Sequence, residues 1–223
     1  MKIDILTIFP EMFEGILNNS IIKRAILEGK VTINLVNFRN YSKDLHHKVD
    51  DYGYGGGKGM VLMCQPIMDA VLDIKTEDSL VILMTPQGKT YNQKQAYELA
   101  KKKHLIIICG HYEGFDERIR TIVDLELSIG DFVLTGGEIA SMAIMDSVVR
   151  LLDGVIDKES HEKESFNNNL LDYPVYTKPQ EYKGLRVPEV LLSGHHEKIA
   201  AWRLNEQILR TKKRRPDLLE RDD

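Results

Sequence analysis

Hydrophobic residues recur along the chain with two periods, and the switches between them divide it into elements. Residues 2–9 are an apolar run the length of a buried strand, with one charged residue, Asp4, inside it. Pro10 suits a first helical turn, and Met12, Phe13, Ile16 and Leu17 follow at helical spacing. Residues 21–28 continue as helix, and Gly29 stops it. Further strands are predicted at 31–36, 80–84, 104–109 and 122–127, and further helices at 66–74, 92–101 and 137–152. The helix at 137–152 presents Ile139, Met142, Ala143, Met145, Val148 and Val149 as its apolar face. Strands alternating with helices predict an α/β fold, a mostly parallel sheet with helices on both faces.

Two stretches break the alternation. Residues 37–59 read as a long polar loop holding Arg39, His46, His47 and the run Asp51-Tyr52-Gly53-Tyr54-Gly55-Gly56-Gly57-Lys58-Gly59. Loops of this length inside a domain are usually functional or mobile. After Gly154 the chain turns polar, and 157–169, ending in Asn167-Asn168-Asn169, reads as a flexible linker between a first domain at 1–156 and a small helical C-terminal domain at 170–223. In that second part Pro174, Pro179 and Pro188 stiffen an extended stretch. Ser193 is placed to cap a helix at 195–212, which Pro216 ends.

With 223 residues there is room for one large domain and a small appendage. No apolar run approaches the roughly 20 residues of a membrane span, and the first residues lack a signal-peptide layout. The expectation is a soluble, cytoplasmic protein. Cys64 and Cys109 are far apart and read as buried thiols rather than a metal pair. The net charge of −4 does not announce a nucleic-acid partner. Between His195 and Arg215, however, Lys198, Arg203, Arg210, Lys212, Lys213, Arg214 and Arg215 face only Glu197 and Glu206. That patch suits phosphate contact, and equally a solvated helix end.

Candidate chemistry concentrates in two glycine-bracketed loops that each follow an apolar strand. One is Cys109-Gly110-His111-Tyr112-Glu113-Gly114-Phe115-Asp116-Glu117-Arg118; the other is Ile129-Gly130-Asp131-Phe132-Val133-Leu134-Thr135-Gly136-Gly137-Glu138. Glycine lets a backbone approach a ligand closely, and loops leaving strands are where α/β proteins bind small molecules. Two of them predict one shared pocket. Other motifs fail on context. The glycines after Asp51 do not leave an apolar strand, Gly88-Lys89-Thr90 lacks the first glycine of a P-loop, and His161-Glu162 and His196-Glu197 lack a second histidine.

In order along the chain stand Phe9-Pro10-Glu11-Met12-Phe13, Val49-Asp50-Asp51, Tyr54-Gly55-Gly56-Gly57, Pro86-Gln87-Gly88, Cys109-Gly110, Tyr112-Glu113-Gly114 and Asp116-Glu117-Arg118. They continue with Ser128-Ile129-Gly130-Asp131, Gly136-Gly137-Glu138, Asp146-Ser147-Val148, Leu170-Leu171-Asp172, Leu191-Leu192-Ser193-Gly194-His195 and Arg214-Arg215-Pro216. Together these blocks resemble the bacterial tRNA (guanine-N1)-methyltransferase family, which modifies the guanine at position 37, just 3′ of the anticodon. The resemblance covers almost the whole chain. It implies the SPOUT class with a C-terminal trefoil knot in the α/β domain, a feature that periodicity cannot supply, and a homodimer whose subunits share active sites.

The same resemblance implies S-adenosyl-L-methionine as cofactor, held by Thr85, Pro86, Gly88, Gly110, Ile129, Gly130, Asp131, Phe132, Val133, Leu134, Gly136 and Gly137. It implies Asp172 as the general base for the guanine N1 proton; as a plain residue, an Asp two before a proline is most often a turn former. It implies Arg150 as the cation facing guanine O6, where the plain reading is an arginine serving a helix C-terminus. Ser165, His195, Arg203, Arg210, Arg214 and Arg215 become candidates for tRNA contact, Tyr112 and Tyr173 for base stacking, and Glu113, with Asp131, for a Mg2+ ion. A binding protein without chemistry, or a methyltransferase for another RNA, would share much of this sequence. Methyl transfer separates the first alternative, and the identity of the labelled RNA the second.

Overall fold

The computed structural model describes residues 1–157 and 164–220, in two compact units, Met1–Ile156 and Asp157–Asp223. The first is built on a five-stranded, all-parallel sheet. In chain order its strands are β1 (Lys2–Thr7), β2 (Thr32–Asn37), β5 (Ser79–Thr90), β6 (His104–Ile108) and β7 (Leu125–Ser128), arranged β2-β1-β6-β5-β7. Strand alternation sends Ile3, Ile5, Ile82, Met84, Leu105 and Ile107 into one apolar cluster, and Leu6, Val81, Leu83, Ile106 and Ile108 into another. Helices α2 (Ser20–Leu27), α4 (Gln93–Ala100) and α5 (Glu138–Val149) cover the first cluster, and α3 (Cys64–Ile74) the second. A parallel sheet buried on both faces explains why its strands read as unbroken apolar runs.

Several expectations shift. The helix predicted from Pro10 is a 3-10 turn, Pro10–Phe13, running into the short α1 (Glu14–Leu17). The loop expected at 37–59 contains a 3-10 turn at Phe38–Tyr41 and ends in a small hairpin, with β3 (Asp50–Asp51) antiparallel to β4 (Val61–Leu62). The strand expected at 122–127 begins three residues later, because Glu117–Ile122 is a 3-10 helix that buries Ile119. Cys64 is only partly buried, at the start of α3, whereas Cys109 is fully buried. Helix α5 buries Ala140, Ile144, Met145, Val148 and Val149, while Ile139 is 51% exposed. A helix apolar all round gives periodicity little to choose between faces.

In the second unit, β8 (Glu181–Tyr182) and β9 (Leu185–Arg186) form a two-stranded hairpin. A short α6 (Glu189–Leu192) precedes α7 (His196–Arg214). Ser193 does not cap α7 from the N-cap position, which His195 holds; its hydroxyl instead accepts the His195 N–H at 3.3 Å. Most of the linker expected at 157–169 lies outside the described residues; its end forms a 3-10 turn, Asn167–Asn169.

Candidate active site

The carboxyl ends of β5, β6 and β7 open onto one cavity. Strand β5 does not stop at Met84. Met84 and Lys89 both pair with Leu127 of β7, so residues 85–88 leave the ladder as a loop and the strand resumes behind them. Gly88 closes that loop against β7: a Cβ there would lie 2.5 Å from the Leu127 nitrogen. Thr85 and Pro86 form one wall.

The second wall is the turn after β6. Gly110 accepts a hydrogen bond from the Gly137 N–H at 2.8 Å, and a Cβ on Gly137 would stand 2.7 Å from the Gly110 nitrogen. A Cβ on Gly136 would meet the His111 ring at 2.4 Å. The two loops touch because neither glycine carries a side chain. Ile129 and 132–137 complete a cavity of about 280 Å³, near the lower end of the roughly 300–1,000 Å³ of ligand pockets.

A buried polar chain fixes this junction. Glu138, the first residue of α5, is 1% exposed. It accepts a hydrogen bond from the Thr7 hydroxyl at 2.6 Å on one oxygen, while His111 Nε2 lies 2.7 Å from the other. A carboxylate is favoured at a helix N-terminus, and here it ties β1, the turn after β6 and α5 together. The His111 ring stands edge-on to Phe9, with centroids 4.8 Å apart. Burial, aided by the Glu138 carboxylate, pushes the neighbouring Cys109 thiol far above its ordinary range, so it is no nucleophile.

Arg150 is the C-cap of α5, where its backbone N–H bonds to the Asp146 carbonyl. In the second unit Asp172 is half-buried in an irregular segment. Its N–H bonds to the Ser165 hydroxyl at 3.0 Å, its carbonyl accepts from Arg210 Nη1 at 3.3 Å, and its Oδ1 accepts the Tyr173 N–H at 2.7 Å. The Arg203 guanidinium lies over the Tyr173 ring, 4.7 Å from its centre. Arg214 is exposed. Arg215 makes two bonds to the Asp217 carboxylate, at 2.8 and 2.7 Å, which raise its pKa further.

Comparison with known proteins decides the family. The family model described as "tRNA (Guanine-1)-methyltransferase TrmD" matches residues 1–221. The chain belongs to that family. A tRNA (guanine-N(1)-)-methyltransferase of Ureaplasma urealyticum serovar 10 is 59% identical over 222 residues, 99% of this chain and 97% of the relative. Proteins of the same name from Bacillus pumilus (59% over 225 residues, 99% and 92%) and Malacoplasma penetrans (59% over 218 residues, 98% and 96%) are similarly close.

Of the residues that the resemblance assigns to the family's cofactor, the cavity gathers Thr85, Pro86, Gly110, Ile129, Phe132, Val133, Leu134, Gly136 and Gly137. Gly88, Gly130 and Asp131 do not line it; Gly88 and Gly130 shape the loops beside it, and Asp131 is exposed. Tyr112 and Glu113, expected at RNA and metal, stand on the wall of this same cavity. His111, Phe115 and Ser128 also line it without having been singled out. The pocket fits S-adenosyl-L-methionine: Gly110, Gly136 and Gly137 let its walls close together where a Cβ would collide with neighbouring protein atoms, and Ile129 and Leu134 offer apolar walls to a flat ring. Mg2+ fits less well. Among the described residues no group of three or more His, Cys, Asp or Glu side chains could hold a metal ion. Also among the described residues, no helix is long and apolar enough to cross a membrane.

Proposed function

We propose that this protein transfers a methyl group from S-adenosyl-L-methionine to N1 of guanine 37 in tRNA, just 3′ of the anticodon. The observation that carries the reading is the glycine-walled cavity at the carboxyl ends of β5, β6 and β7, in a chain that matches this family from end to end. The cofactor, when bound, supplies an electrophilic methyl group on a positively charged sulfur. Main-chain groups at Thr85, Gly110, Ile129 and 132–137 hold and orient it, and the apolar walls exclude water. Asp172 accepts the N1 proton, which frees the in-plane lone pair of that nitrogen. Arg150 offers paired N–H groups to O6, where negative charge gathers. The basic residues Arg203 and Arg214, with His195, serve tRNA, and the target base is turned out of its stack. The reading includes the trefoil knot, a homodimer with shared sites and a cytoplasmic location.

The deciding experiment incubates the protein with radiolabelled S-adenosyl-L-methionine and two transcripts of one tRNA, carrying guanine or adenine just after the anticodon. Label in the guanine transcript alone supports the reading. Label in neither, with label in ribosomal RNA, moves the target; no label in any RNA removes the enzyme reading.

A further inference from the structure

The Leu171–Asp172 segment belongs to neither helix nor strand, so its backbone polar groups need other partners. Side chains supply them. Thr211 Oγ1 accepts the Leu171 N–H at 2.8 Å, the Ser165 hydroxyl accepts the Asp172 N–H, and Arg210 donates to the Asp172 carbonyl. Thr211 is fully buried and is the one buried residue of α7. Its hydroxyl proton is already committed to the Gln207 carbonyl, 2.7 Å away. Bonding one turn back is ordinary for a threonine in a helix. The second bond is not, because its partner lies 40 residues away in sequence. With the proton engaged, a lone pair faces Leu171, so the hydroxyl has a single satisfied orientation. Arg210, read from sequence as a tRNA contact, has its guanidinium on the main chain of Asp172.

We infer that Thr211 and Arg210 are positioning residues, which fix from α7 where the Asp172 carboxylate stands. The inference rests on Asp172 being the proton acceptor. Neither residue needs to touch cofactor or base; each acts through the backbone on either side of the Asp172 side chain.

The test is single-turnover methyl transfer by the full-length protein, with binding of S-adenosyl-L-methionine and tRNA measured beside it. Thr211→Val keeps shape and removes the acceptor. Its rate is expected to fall on the order of 10²-fold, the scale of a small misplacement of a reacting group, while both dissociation constants stay within about twofold. Thr211→Ser, which keeps the hydroxyl, is expected to recover most of the rate. Arg210→Gln should also slow the chemical step and leave the salt dependence of tRNA binding unchanged; a phosphate clamp would instead flatten that slope by about one unit. In an Asp172→Asn background, Thr211→Val should cost nothing more, as coupled residues do and a merely structural one does not. Native rates in Thr211→Val and Arg210→Gln, with Asp172→Asn inactive, overturn the inference alone. A native rate in Asp172→Asn overturns the proton-acceptor reading, and this inference with it.

Discussion

At Gly137 the missing side chain is what lets two loops meet. A methyl group there would press on backbone, 2.7 Å from the Gly110 nitrogen and 2.8 Å from Cys109 Cα, and neither can rotate away. Gly137→Ala is therefore expected to weaken S-adenosyl-L-methionine binding by at least about tenfold, or roughly 1.4 kcal/mol by titration calorimetry. Gly15→Ala is the contrast. Nothing lies within 4 Å of a Cβ at that helical position, so binding should be unchanged and stability should rise by up to about 1 kcal/mol. Glu138 makes the same point with charge. Glu138→Ala would strand the Thr7 hydroxyl and His111 in the interior, and should cost about 1–3 kcal/mol in urea unfolding. Of these residues Gly137 was legible in the sequence, since it brackets a loop after an apolar strand. The Thr7–Glu138 bond was not, because 131 positions separate its partners and no local pattern marks a threonine at a strand end as polar support for a distant carboxylate.

The elements were legible where burial is simple. Strands β1, β5 and β6 are buried on both faces, and their apolar runs say so. The failures have physical causes. Strand β5 continues to Thr90 beyond a loop containing Pro86 and Gly88, residues that usually end strands. The exposed side of α5 was misplaced because the helix is apolar all round. Strand β1 also carries a polar cluster at its other end. Asp4, 1% exposed, accepts from Asn34 at 2.7 Å and lies 2.7 Å from Lys2 Nζ and 2.8 Å from His104 Nε2. Burial alone would raise its pKa, yet these partners together hold it below the ordinary carboxylate value. Its folded pKa is thus depressed, so the stability it contributes is present above the unfolded value of about 3.9 and is lost as pH falls through the folded one. Thermal unfolding of wild type should show that loss below about pH 4. In Asp4→Asn stability should already be lower at pH 7, and that acid limb should be shallower.

On the scale of the whole chain, the cavity lies entirely within Met1–Ile156, whereas Asp172 and the basic helix α7 belong to Asp157–Asp223. Cofactor binding should therefore show itself unevenly. At a hundred times its dissociation constant a ligand adds about 2.7 kcal/mol to the state that binds it. Hydrogen exchange is expected to slow at 85–88, 110–115 and 129–137 on adding S-adenosyl-L-methionine and to stay unchanged within α7; protection confined to α7 would place the pocket elsewhere. A division near residue 156 could be read from the change in composition, but the side-chain bonds that hold Asp172 could not, for they follow no period. The loop at 85–88 carries a further consequence. Its two feet, Met84 and Lys89, rest on the same residue, Leu127, so the sheet is registered identically whatever lies between them. Such a loop is an exchangeable cassette. Descent or design can vary its length and lettering around Gly88, which must stay bare against Leu127, to suit a different ligand while every strand keeps its neighbours.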